Sequence, residues 1–233
     1  MMRNNLRAYA EQFPEQLWIQ QKLIIASDTL QALKRHELPV KPLPRLSFSE
    51  SQIRHTPRLM PVDDLLSGFR QELITTFGIW HLPNKLWLND LHQFIAGRGV
   101  LEVMAGNGIL ASGLRDLGDD VVATDTFAWE NQDIQTPDPW TQVTQMSGLQ
   151  AVETLSFEVV IMSWAPDTNI SDVDILAALR QQHFTGDFIV IGEKNRATNS
   201  TQFWQMADLS APLSLNKHHQ PFDFIHDQVF IVK

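Results

Sequence analysis

Val100-Leu101-Glu102-Val103-Met104-Ala105-Gly106-Asn107-Gly108-Ile109-Leu110-Ala111, followed after a short helical stretch by Val121-Val122-Ala123-Thr124-Asp125, decides the fold. The apolar run 100–104 lies between glycines and is rich in β-branched residues, so it reads as a buried strand. Ala105-Gly106-Asn107-Gly108 reads as a tight turn. Ile109, Leu110, Gly113, Leu114 and Leu117 recur at helical spacing, and Gly118-Asp119-Asp120 ends that helix. Residues 121–123 form a second strand that ends at Asp125. Strand, glycine turn, helix, strand and acid make half of a nucleotide-binding α/β unit.

The chemistry accounts for the spacing. Glycines remove Cβ atoms, so a ligand can approach the backbone. Free N–H groups at the start of the next helix favour negative ligand atoms. An acid at the end of the second strand can accept hydrogen bonds from two ribose hydroxyls. Two ligand classes fit. Gly106-x-Gly108-x-x-Ala111 satisfies the dinucleotide pattern. The stretch from Glu102 to Gly108 fits the acid-first S-adenosylmethionine pattern, with Met104 at the first glycine position. Glu102 favours the second class, because a carboxylate in a buried strand needs a partner.

The 233 residues suit one domain plus an extension. With no cysteine, disulfides, thiolate metal sites and a cysteine nucleophile are excluded. No apolar stretch reaches transmembrane length, and residues 1–9 lack an apolar signal core, so a cytoplasmic protein that avoids membranes is expected. The net charge of −9 argues against a general nucleic-acid binder. Charge is unevenly spread. Residues 1–58 hold nine Lys/Arg against five Asp/Glu, and the remainder hold nine against twenty-two. A basic arm packed on an acidic domain is expected.

Before the glycine turn, apolar periodicity predicts helices over 14–35, 62–77 and 84–96. A stiff proline-bearing connector spans 38–45, and 47–60 reads as polar and irregular. After Asp125, residues 126–139 read as a loop. Strands are expected at 143–146, 157–162 and 187–191, and helices at 148–155, 173–182 (with Asp172 a candidate cap) and 200–209. The apolar stretches 222–225 and 229–232 read as a hairpin or a pair of edge strands. Alternation of strands and helices means a mostly parallel sheet covered on both faces.

The glycine motif, Asp125 and the Ser163-Trp164-Ala165-Pro166 strand end together resemble the class I S-adenosylmethionine-dependent methyltransferases over roughly residues 77–233. Trp80-x-x-Pro83, Glu102 with Ala105-Gly106-x-Gly108, Ala123-x-Asp125, Ser163-Trp164-x-Pro166, Ile191-Gly192-Glu193 and Phe203-Trp204 also resemble a narrower methyltransferase-like group. The resemblance implies an α/β Rossmann-like fold: a mostly parallel seven-stranded sheet with an antiparallel C-terminal strand and helices on both faces. It places a catalytic domain at 82–233 behind an N-terminal helical extension or lid at 1–81. It implies S-adenosyl-L-methionine as cofactor and a small-molecule methyl acceptor.

Residue by residue, the resemblance implies that Glu102 lies near the methionine end of the cofactor. Gly106, Asn107 and Gly108 pass beneath it. Asp125 holds the ribose, Thr126 and Phe127 edge the adenine, and Ser147-Gly148 stands where an acid often takes the adenine amino group. Ser163 and Trp164 occupy the fourth motif, beside the transferred methyl. Ser-Trp-Ala-Pro departs from the Asn/Asp-Pro-Pro-aromatic pattern of nucleic-acid amino-methylases, so N6-adenine methylation is not expected. Trp164 is a candidate for stacking on a substrate ring or facing the sulfonium. Glu193 and His81 are the candidate bases. The histidines show no metal-ligand spacing, and no metal is expected. A non-catalytic protein that keeps the fold and an NAD-dependent oxidoreductase are the alternatives.

Overall fold

A computed structural model of the chain describes residues 2–129 and 137–233; the middle of the expected loop 126–139 lies outside the described residues. The N-terminal part contributes α1 (Met2–Ala10), α2 (Leu17–Leu33), α3 (Glu50–His55), a 3-10 turn (Pro57–Leu59), α4 (Met60–Ser67), α5 (Phe69–Phe77) and α6 (Lys85–Ile95). The sheet and its helices follow: β1 (Val100–Val103), α7 (Ile109–Asp116), β2 (Val121–Asp125), β3 (Thr144–Gln145), α8 (Gly148–Thr154) and β4 (Val159–Ser163). Then come α9 (Ser171–Gln181), β5 (Asp187–Gly192), α10 (Thr201–Met206), β6 (Leu209–Ser210), α11 (Leu213–Asn216) and β7 (Gln228–Val232).

The seven strands lie in the order β3-β2-β1-β4-β5-β7-β6. β1 to β5 pair in parallel, and β7 runs antiparallel to both β5 and β6. The sheet that the resemblance implies is the sheet observed. β1 is buried along its whole length, as expected of a strand covered on both faces. Alternate side chains of each strand enter different cores. Val100, Ile161 and Ile189 pack with Leu6, Leu23, Phe69 and Trp87 on one face, so the extension and the sheet share one core. Leu101, Val160 and Val190 pack with Val152, Leu176 and Phe203 of α8, α9 and α10 on the other. Among the described residues, no helix is long and apolar enough to cross a membrane.

Several local expectations are corrected. The helix expected over 62–77 breaks at Gly68, between α4 and α5, so that Leu66 and Phe69 both turn inward. Residues 47–60 contain α3, started by a capping box in which Ser49 and Gln52 exchange side-chain and backbone bonds. The helix expected over 200–209 stops at Met206, and Leu209 begins β6. In the tail, β7 pairs with β6 rather than with 222–225, and it lies inside the sheet rather than at its edge. Asp172 does not cap α9. It lies in the first turn, where its carboxylate accepts Ser200 N–H and Ser200 Oγ–H and ties α9 to the start of α10.

Candidate functional site

The carboxyl ends of β1 and β4 flank the point where strand order reverses, the usual place for a ligand crevice in an open α/β sheet. The glycine turn leaves β1 at this edge. Gly106 has φ +56°, and among the described residues a Cβ there would meet nothing within 4 Å, so they leave the backbone open to close approach. Gly108 differs. It also has positive φ, but a Cβ there would press on Val143 Cγ2 at 2.7 Å. Its glycine is required by the covering segment. Asn107 is a clip rather than an open contact: its Oδ1 accepts Asp138 N–H and its Nδ2 donates to Phe77 O.

Asp125, at the end of β2, accepts Gly106 N–H on Oδ2 at 2.8 Å. Its Oδ1 accepts Phe127 N–H at 2.7 Å and the Trp129 indole N–H at 3.1 Å. Oδ1 therefore has two donors, while Oδ2 has one donor among the described residues and a second acceptor position. Trp129 is buried over the acid, with the Phe127 ring edge-on to it at 5.5 Å. Thr126 is exposed, and its Oγ1 accepts Ala128 N–H.

Glu102 is buried, and its Oε2 accepts Ala111 N–H at 2.9 Å, fastening α7 to β1. Burial pushes its carboxyl up to about 8. Met104, at the first glycine position, has φ +54° and adopts the left-handed conformation that glycine would supply. Phe127 and Trp164 are left-handed too, at φ +54° and +55°. Such residues persist only where their surroundings impose them, and here they stand at the ends of β1, β2 and β4.

The third-strand residues serve packing. Ser147 Oγ caps α8 through Gln150 N–H, and a Cβ at Gly148 would strike Ile175 Cδ1 at 2.6 Å. Ser163 Oγ is buried at the end of β4 without a hydrogen-bond partner among the described residues.

The side chains expected to be catalytic gather around the C-terminal tail. Trp164 Nε1–H donates to Asp227 Oδ2 at 2.8 Å. Asp227 Oδ2 lies 3.9 Å from His219 Nε2, which meets His81 Nε2 at 3.2 Å. Burial holds His81 well below the ordinary histidine range, helped by His219 and Arg70, and it lowers His219 as well. The Arg70 guanidinium lies 4.3 Å from the Trp164 ring centre and forms a two-pronged bond with Asp223. Glu193 lies nearby as a tail anchor, its Oε1 accepting His226 N–H at 2.9 Å.

His219, Asp227, Arg70, Asp223 and Trp129 were not foreseen. His81 and His219 are 138 positions apart, and no periodicity or motif spacing links positions so distant.

No family model matches the chain, and no curated protein matches it. Solved structures do. The CcbJ methyltransferase of Streptomyces caelestis is 17% identical, covering 54% of this chain and 59% of its own, with a TM-score of 0.32. Magnesium protoporphyrin IX methyltransferase of Synechocystis, solved with bound SAM, is 11% identical over 64% of this chain and 79% of its own, TM-score 0.36. Human N-acetylserotonin methyltransferase, in complex with SAM, is 12% identical over 88% of this chain and 65% of its own, TM-score 0.40. The chain thus spans less than two thirds of CcbJ. By its strand order and its antiparallel β7, the protein has the Rossmann-like fold of the class I methyltransferases.

Proposed function

We propose that the protein is an S-adenosylmethionine-dependent methyltransferase acting on a small cytoplasmic molecule. The observation that supports this most is the open Gly106 backbone beside Asp125 Oδ2, at the strand-order reversal of a class I methyltransferase sheet. When bound, the cofactor supplies an electrophilic methyl group on a sulfonium. Gly106 would admit it, and Asp125 Oδ2 would accept a ribose hydroxyl at its second position. Trp164 and Ser163, at the end of β4, would wall the acceptor side.

Proton abstraction has little support. Glu193 is taken up by the tail backbone, and His81 Nε2 faces His219 rather than open space. The residues would instead work by alignment, holding a nucleophile that needs no base in line with the methyl group.

The test is thermal unfolding with S-adenosylmethionine, S-adenosylhomocysteine or NAD. A ligand at a hundred times its Kd stabilises by about 2.7 kcal/mol, or about 5–10 °C for a chain of this size. Shifts with the two adenosyl ligands and none with NAD are expected. A shift with NAD alone would replace the reading with a dinucleotide enzyme.

One observation favours a second reading, a protein that keeps the fold without turnover: Trp129 already occupies Asp125 Oδ1. Absence of any shift would favour it.

A further inference from the structure

His81, His219 and Asp227 come from separate parts of the chain and turn their donor atoms to one point. We propose that these three side chains bind a divalent transition ion of the zinc type. His81 lies in the segment between α5 and α6. His219 follows α11, and Asp227 immediately precedes β7. Their ligand atoms all lie within 4.8 Å of one another.

The geometry matches the ion. The two Nε2 atoms are 3.2 Å apart. Two imidazoles on a tetrahedral Zn²⁺, at bond lengths of about 2.0–2.1 Å, place their nitrogens about 3.3 Å apart. Asp227 Oδ2 is 3.9 Å from His219 Nε2, and no pair in the set is more than 4.8 Å apart, so ion binding would draw the carboxylate in toward the two nitrogens. All three side chains line a cavity of about 20 Å³, room for one water-sized occupant.

The surroundings are built for such a site. His219 and Asp227 side chains are 6% and 5% exposed, and His81 is also buried. Trp164 Nε1–H donates to Asp227 Oδ2 at 2.8 Å, and a hydrogen bond of this kind helps to orient a ligating carboxylate. Among the described residues His219 Nδ1 is buried with no hydrogen-bond partner, and the polar contacts of this ring are on its Nε2 side, toward His81 and Asp227. The neighbouring Arg70 is neutralised by Asp223, which limits its repulsion of a cation.

Two imidazoles and one carboxylate form a donor set for Zn²⁺ and its first-row neighbours, whereas Mg²⁺ and Ca²⁺ take oxygen ligands. Three protein donors leave one position open in a tetrahedral ion, as in sites that take water or a substrate atom. The metal would also tie the end of the helical extension to the C-terminal tail.

The test uses the full chain, stripped with a chelator and titrated with Zn²⁺, Mg²⁺ or Ca²⁺ in the absence of any cofactor. Its outcome is therefore independent of the methyl-transfer reading. One Zn²⁺ per chain, a raised melting temperature with Zn²⁺ only, and at least tenfold weaker binding in both His219→Gln and Asp227→Asn are expected. His218→Ala, which removes the adjacent histidine bonded to Asp90, should bind like the wild type. Should His219→Gln fail to fold, Asp227→Asn carries the comparison, because its amide oxygen can still accept from Trp164. No stoichiometric Zn²⁺ on the wild-type chain would overturn the proposal. So would undiminished affinity in a folded His219→Gln or Asp227→Asn variant, or loss of the ion in His218→Ala.

Discussion

Trp129 Nε1–H donates to Asp125 Oδ1 at 3.1 Å, placing an indole on the acid that is expected to hold ribose. Removing the donor while keeping an aromatic ring should free one of the two acceptor positions of that oxygen, the other staying with Phe127 N–H. Trp129→Phe is expected to bind S-adenosylmethionine at least about tenfold more tightly, since a hydrogen bond to a carboxylate is worth about 1.5–3 kcal/mol net. Titration calorimetry reads the change. Weaker binding would show that the indole helps to hold the ligand instead.

Asp125 also organises the turn, accepting three N–H donors from Gly106, Phe127 and Trp129. Asp125→Asn turns an amide donor toward at least one of them. It should lower stability by about 1–3 kcal/mol, the range for a buried polar group left unsatisfied. The same variant should weaken S-adenosylmethionine binding tenfold or more. Denaturant midpoints and calorimetry separate the two effects.

Met104 carries a left-handed backbone that costs a non-glycine residue about 1 kcal/mol. Met104→Gly and Met104→Ala both delete the side chain, but only glycine relieves the backbone. The glycine variant should therefore be more stable than the alanine variant by about 1 kcal/mol, reversing the usual order. Urea unfolding of the pair tests this.

Glu102 titrates near 8 in the folded chain against an ordinary value of 4.5. The folded state thus favours the neutral acid. Its contribution to stability is fully present below pH 4.5 and is lost as the pH rises through 8. Glu102→Gln keeps an acceptor for Ala111 N–H without ionising. Relative to this variant, the wild type should lose on the order of 4 kcal/mol between pH 4.5 and pH 8. Parallel slopes in a pH series of unfolding curves would contradict the shift.

Arg70 and Asp223 form a buried ion pair, each side chain 8% exposed. Arg70→Met strands a buried carboxylate and should cost about 3–5 kcal/mol. The double variant Arg70→Met with Asp223→Leu should recover much of that loss, because no charge is left unpaired. Thermal unfolding of the single and double variants measures the difference.

The strand–turn–helix–strand unit of residues 100–125 was legible because its signals are local. A buried strand shows as a short, mostly apolar run bounded by turn residues, and a left-handed turn favours glycine. Asn84 as the cap of α6 and the capping box at Ser49 and Gln52 are local in the same way, although the latter was read as irregular chain. The break at Gly68 was not legible, because the same apolar stripe serves one helix or two until packing chooses. The two glycines of the turn look alike in sequence. What distinguishes them is that Val143 covers Gly108 while none of the described residues covers Gly106.

By itself, the sequence determined the alternation of the five parallel strands with their helices, and through it the class of sheet, because hydrophobic periodicity and turn chemistry act over a few residues. Only the tertiary structure decided which polar groups meet. Trp129 reaches Asp125, Arg70 reaches Asp223, and His81 reaches His219 and Asp227 because burial in a shared core forces distant polar side chains to find partners. That requirement carries no periodic mark along the chain.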